Sequence, residues 1–120
     1  MAKGFSVVEA SIAQLRAALI AGEVTSVQLV EAYLERIRVY DQGGIKLNSM
    51  VVLNEQALAE AAASDARRST GKTLGPLDGI PFTAKDSYKV KGLTVAAGSP
   101  AFENLVATSD AFSIRVLRDA

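Results

Sequence analysis

The sequence predicts an α/β fold, in which amphipathic helices alternate with short apolar strands. Two segments near the N-terminus carry apolar residues at helical spacing, and each opens with a capping-box pattern. Two short apolar runs, residues 49–53 and 80–85, have the length and the preceding turn signals of buried strands. An alanine-rich segment of high helix propensity separates the two runs.

The first two helices are predicted from their start and stop signals. Ser6 followed by Glu9, and Thr25 followed by Gln28, are the two capping-box patterns, and Gly22 ends the first helix. The apolar stripes are Val8, Ile12, Leu15 and Leu19 in the first helix, and Val27, Val30, Leu34 and Ile37 in the second. Both stripes are predicted to pack on the body of the domain, and a partner-binding face is the alternative.

Two further helices are predicted in the rest of the chain. Asn54 is placed to cap the alanine-rich helix over residues 55–68. Asp110 is placed to cap a C-terminal helix whose apolar residues are Phe112, Ile114, Val116 and Leu117. This helix reaches Ala120 without a glycine or proline stop signal. We therefore expect the chain to be cut short at its C-terminus.

The composition excludes several classes of function. The 120 residues are 49% hydrophobic with a formal net charge of zero, so no nucleic acid is expected to bind this chain directly. The chain contains no cysteine and no histidine, which excludes thiol nucleophiles and histidine bases within it. We expect no metal and no cofactor. No apolar stretch approaches a membrane span, and we expect a cytoplasmic protein.

Lys85 is the candidate catalytic residue. It ends the predicted strand over residues 80–85, which follows two turn signals, Gly75-Pro76 and Asp78-Gly79. Strand ends are where α/β proteins place their chemistry. By residue type alone, however, Lys85 is a solvated surface charge, because only a desolvated amine loses its proton readily enough to act as a base.

The wider pattern around Lys85 resembles a known enzyme family. Residues 75–86 read Gly-Pro-Leu-Asp-Gly-Ile-Pro-Phe-Thr-Ala-Lys-Asp, and Lys91-Gly92-Leu93 and Ala97-Gly98-Ser99 follow. This is similar to the first conserved block of the amidase signature family, whose members hydrolyse amides with two serines and a lysine. The resemblance implies that helices flank a mixed β-sheet that is incomplete in this chain. It also implies that residues 1–120 are the N-terminal portion of a single amidase domain.

The resemblance also implies the chemistry. Lys85 corresponds to the catalytic base, which takes a proton from the nucleophilic serine through a second serine that follows a cis peptide bond. The substrate is then a small-molecule amide. Both serines belong to a glycine- and serine-rich stretch that in the family lies downstream of residue 120, so the 120-residue chain alone is predicted to be inactive.

Three departures from the family pattern leave the substrate class open. Asp78 stands where many members have histidine, Ser87 where many have asparagine, and Val95-Ala96 where two threonines are common. The amidase component of an aminoacyl-tRNA amidotransferase shares the lysine block and is an alternative. A non-catalytic interaction module or remnant that docks through the terminal helix faces is another. The sequence leaves homo-oligomerisation open.

Overall fold

The computed structural model describes residues 4–120, which contain four α-helices. They are α1 (Ile12–Ala21), α2 (Ser26–Arg36), α3 (Ala57–Ser69) and α4 (Phe112–Asp119). A π-helical segment, Ile37–Gln42, continues α2, and a short 3-10 helix spans Pro100–Phe102. None of the helices in residues 4–120 has the length and apolar character needed to cross a membrane.

Helix α1 begins later than its sequence pattern predicts. The capping box forms between Ser11 and Gln14, with the Ser11 N–H 2.8 Å from the Gln14 side-chain oxygen and the Gln14 N–H 3.2 Å from Ser11 Oγ. The predicted box of Ser6 and Glu9 is wrong, because Glu9 has φ +54° and so lies outside the helical region. The helix ends as predicted at Gly22, whose φ of +71° suits a glycine.

Helix α2 starts as predicted and forms the core with α1. The Thr25 N–H lies 2.9 Å from the Gln28 side-chain oxygen, and the Gln28 N–H lies 3.1 Å from Thr25 Oγ1. The buried cluster consists of Val7, Leu15, Ala18, Leu19, Val24 and Leu29. Ile80, beyond α3, packs partly buried against this cluster and ties the Lys85 segment to it.

Residues 49–53 do not form the predicted strand. The Asp41 carboxylate accepts the backbone N–H groups of Ser49 and Met50 at 2.7 and 3.1 Å, and also the Ser49 hydroxyl. The Ser49 hydroxyl is the main cause of the lowered pKa of Asp41. Donors taken by a side chain are lost to a strand ladder. The predicted burial is also wrong, since the side chain of Val51 is 71% exposed.

Residues 80–85 are also not a strand within the part of the chain that the structure describes. The β-pairing in residues 4–120 is limited to one antiparallel bridge between Thr94 and Val106, flanked by hydrogen bonds from Val95 N to Leu105 O and from Ala107 N to Leu93 O, both 2.9 Å. The predicted mixed sheet is therefore not formed by these residues. An apolar run becomes a strand only when a second strand pairs with it.

The caps of the last two helices differ from their predictions. Asn54 lies before α3, where its side-chain oxygen accepts the Gln56 N–H at 3.0 Å, and the helix begins at Ala57. Asp110 does not cap α4. Its carboxylate accepts the Lys91 N–H at 2.7 Å and lies 3.3 Å from Arg118 Nε, so it joins a loop to the far end of the helix.

The C-terminal half of α3 holds the N-terminus of α2. The Asp65 carboxylate accepts the backbone N–H groups of Ser26 and Val27 at 2.8 and 3.1 Å. These donors belong to the first turn of α2, where the helix itself offers no acceptor and where the dipole favours a negative charge. Asp65 thus caps α2 from 38 residues away along the chain.

The same half of α3 holds the turn that precedes the Lys85 segment. Arg67 Nε and Nη2 donate to the two Asp78 carboxylate oxygens at 2.9 and 2.7 Å, and the Leu74 N–H donates to one of them at 3.0 Å. The Asp78 side chain is only 3% exposed. The paired guanidinium of Arg67 is the main cause of a strongly lowered Asp78 pKa, so the carboxylate stays charged.

Two carbonyl groups complete this attachment. Arg68 Nη2 donates to the Asp78 carbonyl, and Ser26 Oγ donates to the Gly79 carbonyl at 2.7 Å. Gly79 has φ +93°, and a Cβ atom there would lie 2.8 Å from Ser64 Oγ. The turn therefore requires glycine both for its conformation and for its approach to α3.

The observed cap of α1 gives a first testable prediction. We expect Ser11→Ala to lower the free energy of unfolding by about 1 kcal/mol, because the Gln14 N–H loses its acceptor. Urea unfolding followed by circular dichroism measures this loss. The matched control is Ser6→Ala, which we expect to change stability by less than about 0.5 kcal/mol. A larger loss for Ser6→Ala than for Ser11→Ala contradicts the observed helix start.

The buried pair of Arg67 and Asp78 gives a second prediction. At pH 7 we expect Asp78→Asn to lower the free energy of unfolding by about 2 kcal/mol, since it removes charged hydrogen bonds. The pKa of Asp78 is lower in the folded chain than in the unfolded one. The stability that the Asp78 carboxylate contributes is therefore fully present above a pH of about 4, and it is lost as the pH falls further. Urea unfolding at pH 7, 4 and 2.5 should show the two proteins converging. A constant difference across this range contradicts the prediction.

Candidate active site

Lys85 lines an open cleft of about 230 Å³ between its own segment and α4. The cleft is lined by Thr83, Ala84, Lys85 and Tyr88 on one side, and by Ser113, Ile114 and Leu117 of α4 on the other. The structure thus places the predicted base in a concave site. Lys85 is exposed in residues 4–120, however, and apolar groups do not enclose it.

Two backbone hydrogen bonds set the course of the chain after Lys85. The Tyr88 N–H donates to the Lys85 carbonyl at 2.8 Å, which closes a turn. The Ala97 N–H donates to the Asp86 carbonyl at 3.2 Å. Ala97 itself has φ +50°, in the left-handed region that alanine rarely adopts. Residues 85–88 are therefore held on the downstream side by main-chain contacts.

Helix α4 is fixed against the cleft by polar contacts at both of its ends. The Ala111 N–H donates to the Lys89 carbonyl at 2.8 Å at its start. Arg118 near its end lies 3.3 Å from Asp110 and 3.5 Å from Glu60 of α3. These contacts set which residues of α4 face Lys85.

The α4 side of the cleft is not predicted from the sequence. Ser113 adds a hydroxyl to the lining, and Ile114 and Leu117 add apolar surface. The helical spacing of Ile114 and Leu117 indicates one helix face, but no sequence signal indicates that this face meets Lys85. Only the path of the chain through residues 86–111 brings this face of α4 next to Lys85.

A second cavity lies apart from the cleft. It has a volume of about 210 Å³ and lies between α1 and the turn before Lys85. Its lining is Arg16, Leu19, Ile20, Arg68, Thr73, Gly75, Pro76 and Asp78, none of which lines the Lys85 cleft. Asp78 therefore belongs to the support of the turn and not to the candidate active site.

The described part of the chain offers no cluster of metal ligands. Among residues 4–120 there is no group of three or more aspartate or glutamate side chains placed to hold a metal ion, and the sequence has no histidine or cysteine. The titratable group that the cleft offers for chemistry is the amine of Lys85, with the Tyr88 phenol beside it.

The chain is similar to amidases in sequence and in structure. It is 45% identical over 104 residues to a glutamyl-tRNA(Gln) amidotransferase subunit of Thioalkalivibrio sulfidiphilus, a match that covers 86% of this chain and 21% of that protein. Its structure superposes on native peptide amidase of Stenotrophomonas maltophilia with a TM-score of 0.88 at 40% identity, covering 92% of this chain and 23% of that one. For an amidase family protein of Bacillus anthracis the TM-score is 0.87 at 30% identity, covering 98% and 25%.

The chain thus spans about a fifth to a quarter of the length of the relatives that it matches. The structural likeness shows that its helices and its unpaired segments have the arrangement found in those amidases. A model of the Amidase family matches residues 28–120, which include the candidate base and all of the cleft lining. The chain belongs to the amidase signature family.

Proposed function

We propose that residues 1–120 are the N-terminal part of an amidase domain that hydrolyses a small-molecule amide, with Lys85 as its base. The observation that carries this proposal is the place of Lys85 in a cleft within a chain that belongs to the amidase family. The lysine block over residues 75–86 supports the same role through its resemblance to the family pattern.

The proposed reaction has two steps. Neutral Lys85 accepts a proton from the nucleophilic serine through the second serine, and the serine oxygen attacks the amide carbonyl. The proton passes to the leaving nitrogen, so that the amine or ammonia departs and an acyl-enzyme forms. Water then attacks the ester and releases the carboxylic acid, which restores the serine. Both serines are supplied from outside the 120 residues.

The amount of exposed surface supports a larger domain. The accessible surface is 8356 Å², whereas a compact monomer of 12.6 kDa exposes about 6200 Å². The radius of gyration is 15.3 Å, against about 13.6 Å for a compact domain of this length. The excess surface suits an interface that the rest of an amidase domain covers.

Apolar side chains around the cleft belong to this excess surface. Phe112 is 74% exposed, and Phe82, Tyr88, Val116 and Leu117 are also exposed. In the proposal, the rest of the domain covers these side chains and removes water from around the Lys85 amine. The exposure of Lys85 in residues 4–120 is then a property of the uncovered interface.

An amidotransferase component is the second candidate. The curated relatives at 43–45% identity are glutamyl-tRNA(Gln) amidotransferase subunits, whereas the solved relatives include peptide amidases at 40%. The sequence identities to the two kinds of protein are nearly equal, so they do not decide between a free amidase and an amidotransferase subunit. Co-purification with further subunits from the native source distinguishes them, because a free amidase is active without such subunits.

We expect the 120-residue polypeptide on its own to hydrolyse no amide, because it lacks the nucleophile. We expect activity when these residues replace the matching N-terminal quarter of the Stenotrophomonas maltophilia peptide amidase. Ammonia release from a peptide amide measures both. Hydrolysis by the purified 120-residue polypeptide that Lys85→Ala abolishes contradicts the proposal. A folded but inactive chimera favours the interaction-module alternative.

In the active chimera we expect Lys85→Ala to lower kcat by about 10²- to 10⁴-fold, the usual contribution of a general base. Steady-state kinetics with the same peptide amide measures the loss. Lys91→Ala is the matched control, since Lys91 is an exposed lysine outside the cleft. Equal activity of the Lys85→Ala and Lys91→Ala proteins removes Lys85 from the mechanism.

A further inference from the structure

The position of Lys85 depends on anchors at the two ends of an unpaired segment. Residues 81–85 lie in no helix and no ladder within the described chain. Downstream, the carbonyl groups of Lys85 and Asp86 accept the Tyr88 and Ala97 N–H groups. Upstream, the segment leaves the turn at Asp78 and Gly79. A movement of either anchor is transmitted to Lys85, because no strand partner among residues 4–120 restrains the residues between them.

The upstream anchor is stronger than the downstream one. The Asp78 carboxylate accepts three hydrogen bonds, two of them from the guanidinium of Arg67. A bidentate pair of this kind restrains direction as well as distance. The donor lies on α3, a helix of 13 residues that packs on α2. The turn is thus attached to the longest α-helix in residues 4–120.

This anchor does not belong to the cleft itself. Asp78 lines the separate cavity beside α1, and Arg67 lines neither the cavity nor the cleft. The resemblance to the amidase signature family places histidine in many members where this chain has Asp78. A neutral imidazole has a single acceptor nitrogen and does not form the two-oxygen pair seen here. A histidine at position 78 would therefore not form the same attachment.

We propose that Arg67 and Asp78 are positioning residues for Lys85, which hold the turn that sets the distance from the amine to the reacting groups. This inference rests on the proposed function, in which Lys85 is the base. Neither residue touches the substrate. A base must lie within hydrogen-bond reach of its proton, and a misplacement of about 1 Å costs up to about 10²-fold in rate.

The first test needs no activity. In the 120-residue chain, the Tyr88 and Ala97 amides report on the Lys85 turn through their hydrogen bonds to residues 85 and 86. We expect Asp78→Asn to speed their hydrogen exchange at least about 5-fold relative to the amide of Leu15 in α1, measured by NMR. Unchanged relative exchange at both amides overturns the inference whatever the fate of the proposed function.

The second test is kinetic and uses the active chimera. We expect Asp78→Asn to lower kcat about 10- to 100-fold with KM changed less than about 2-fold. The pH–rate profile should fall evenly, without a shift of its apparent pKa values, because Asp78 lies outside the cleft. Arg67→Lys keeps the positive charge but loses the two parallel N–H donors that the guanidinium offers to a carboxylate. The kcat of Arg67→Lys should therefore lie between those of the unsubstituted chimera and Arg67→Met.

The matched control is Glu35→Gln, which breaks the exposed bidentate pair between Glu35 of α2 and Arg38 of the π-helical segment, with distances of 2.7 and 2.6 Å. We expect no change in kcat from it.

The outcomes separate the inference from the proposed function. A kcat for Asp78→Asn within 2-fold of the unsubstituted chimera, while Lys85→Ala is inactive, overturns the inference alone. An active Lys85→Ala chimera overturns the proposed function instead. If Asp78→Asn does not fold, the order of Arg67→Lys and Arg67→Met decides.

Discussion

The attachment of two chain segments to the C-terminal half of α3 is the interaction on which the rest of the structure depends. Asp65 caps α2, and the arginines that follow it hold the Asp78 turn. The core between α1 and α2 is small, and its buried residues are mostly of moderate size. Hydrogen bonds to charged groups are stronger than neutral ones, so they restrain the chain where apolar packing is sparse.

The Lys85 cleft follows from this arrangement. Its first wall is a segment without regular structure, and its second wall is α4, whose place is set by the contacts of Asp110 and Arg118. Within residues 4–120, each wall is thus located by ionic and main-chain contacts and not by a sheet. The open cleft and the exposed apolar residues around it are the features that favour a larger amidase domain around these residues.

The helices could be predicted from sequence because their signals are local. The box at Thr25 and the stop at Gly22 lie within a few residues of the helices that they delimit. The start of α1 was mistaken because Ser6 and Glu9 have the same pattern as Ser11 and Gln14, and only backbone conformation separates them. Residues 49–53 and 80–85 form no strands within residues 4–120, because pairing depends on residues far away in sequence. In residues 49–53, Asp41 also takes donors that a ladder needs.

The sequence by itself determined the family, the approximate places of the four α-helices and the identity of the candidate base, since a motif and a helical period are read from neighbouring residues. The tertiary structure alone decided that Arg67 pairs with Asp78, that Asp65 caps α2 and that α4 faces Lys85. Each of these contacts joins residues from separate turns and helices. Their partners are chosen by the path of the chain in space, which residue type and spacing do not specify.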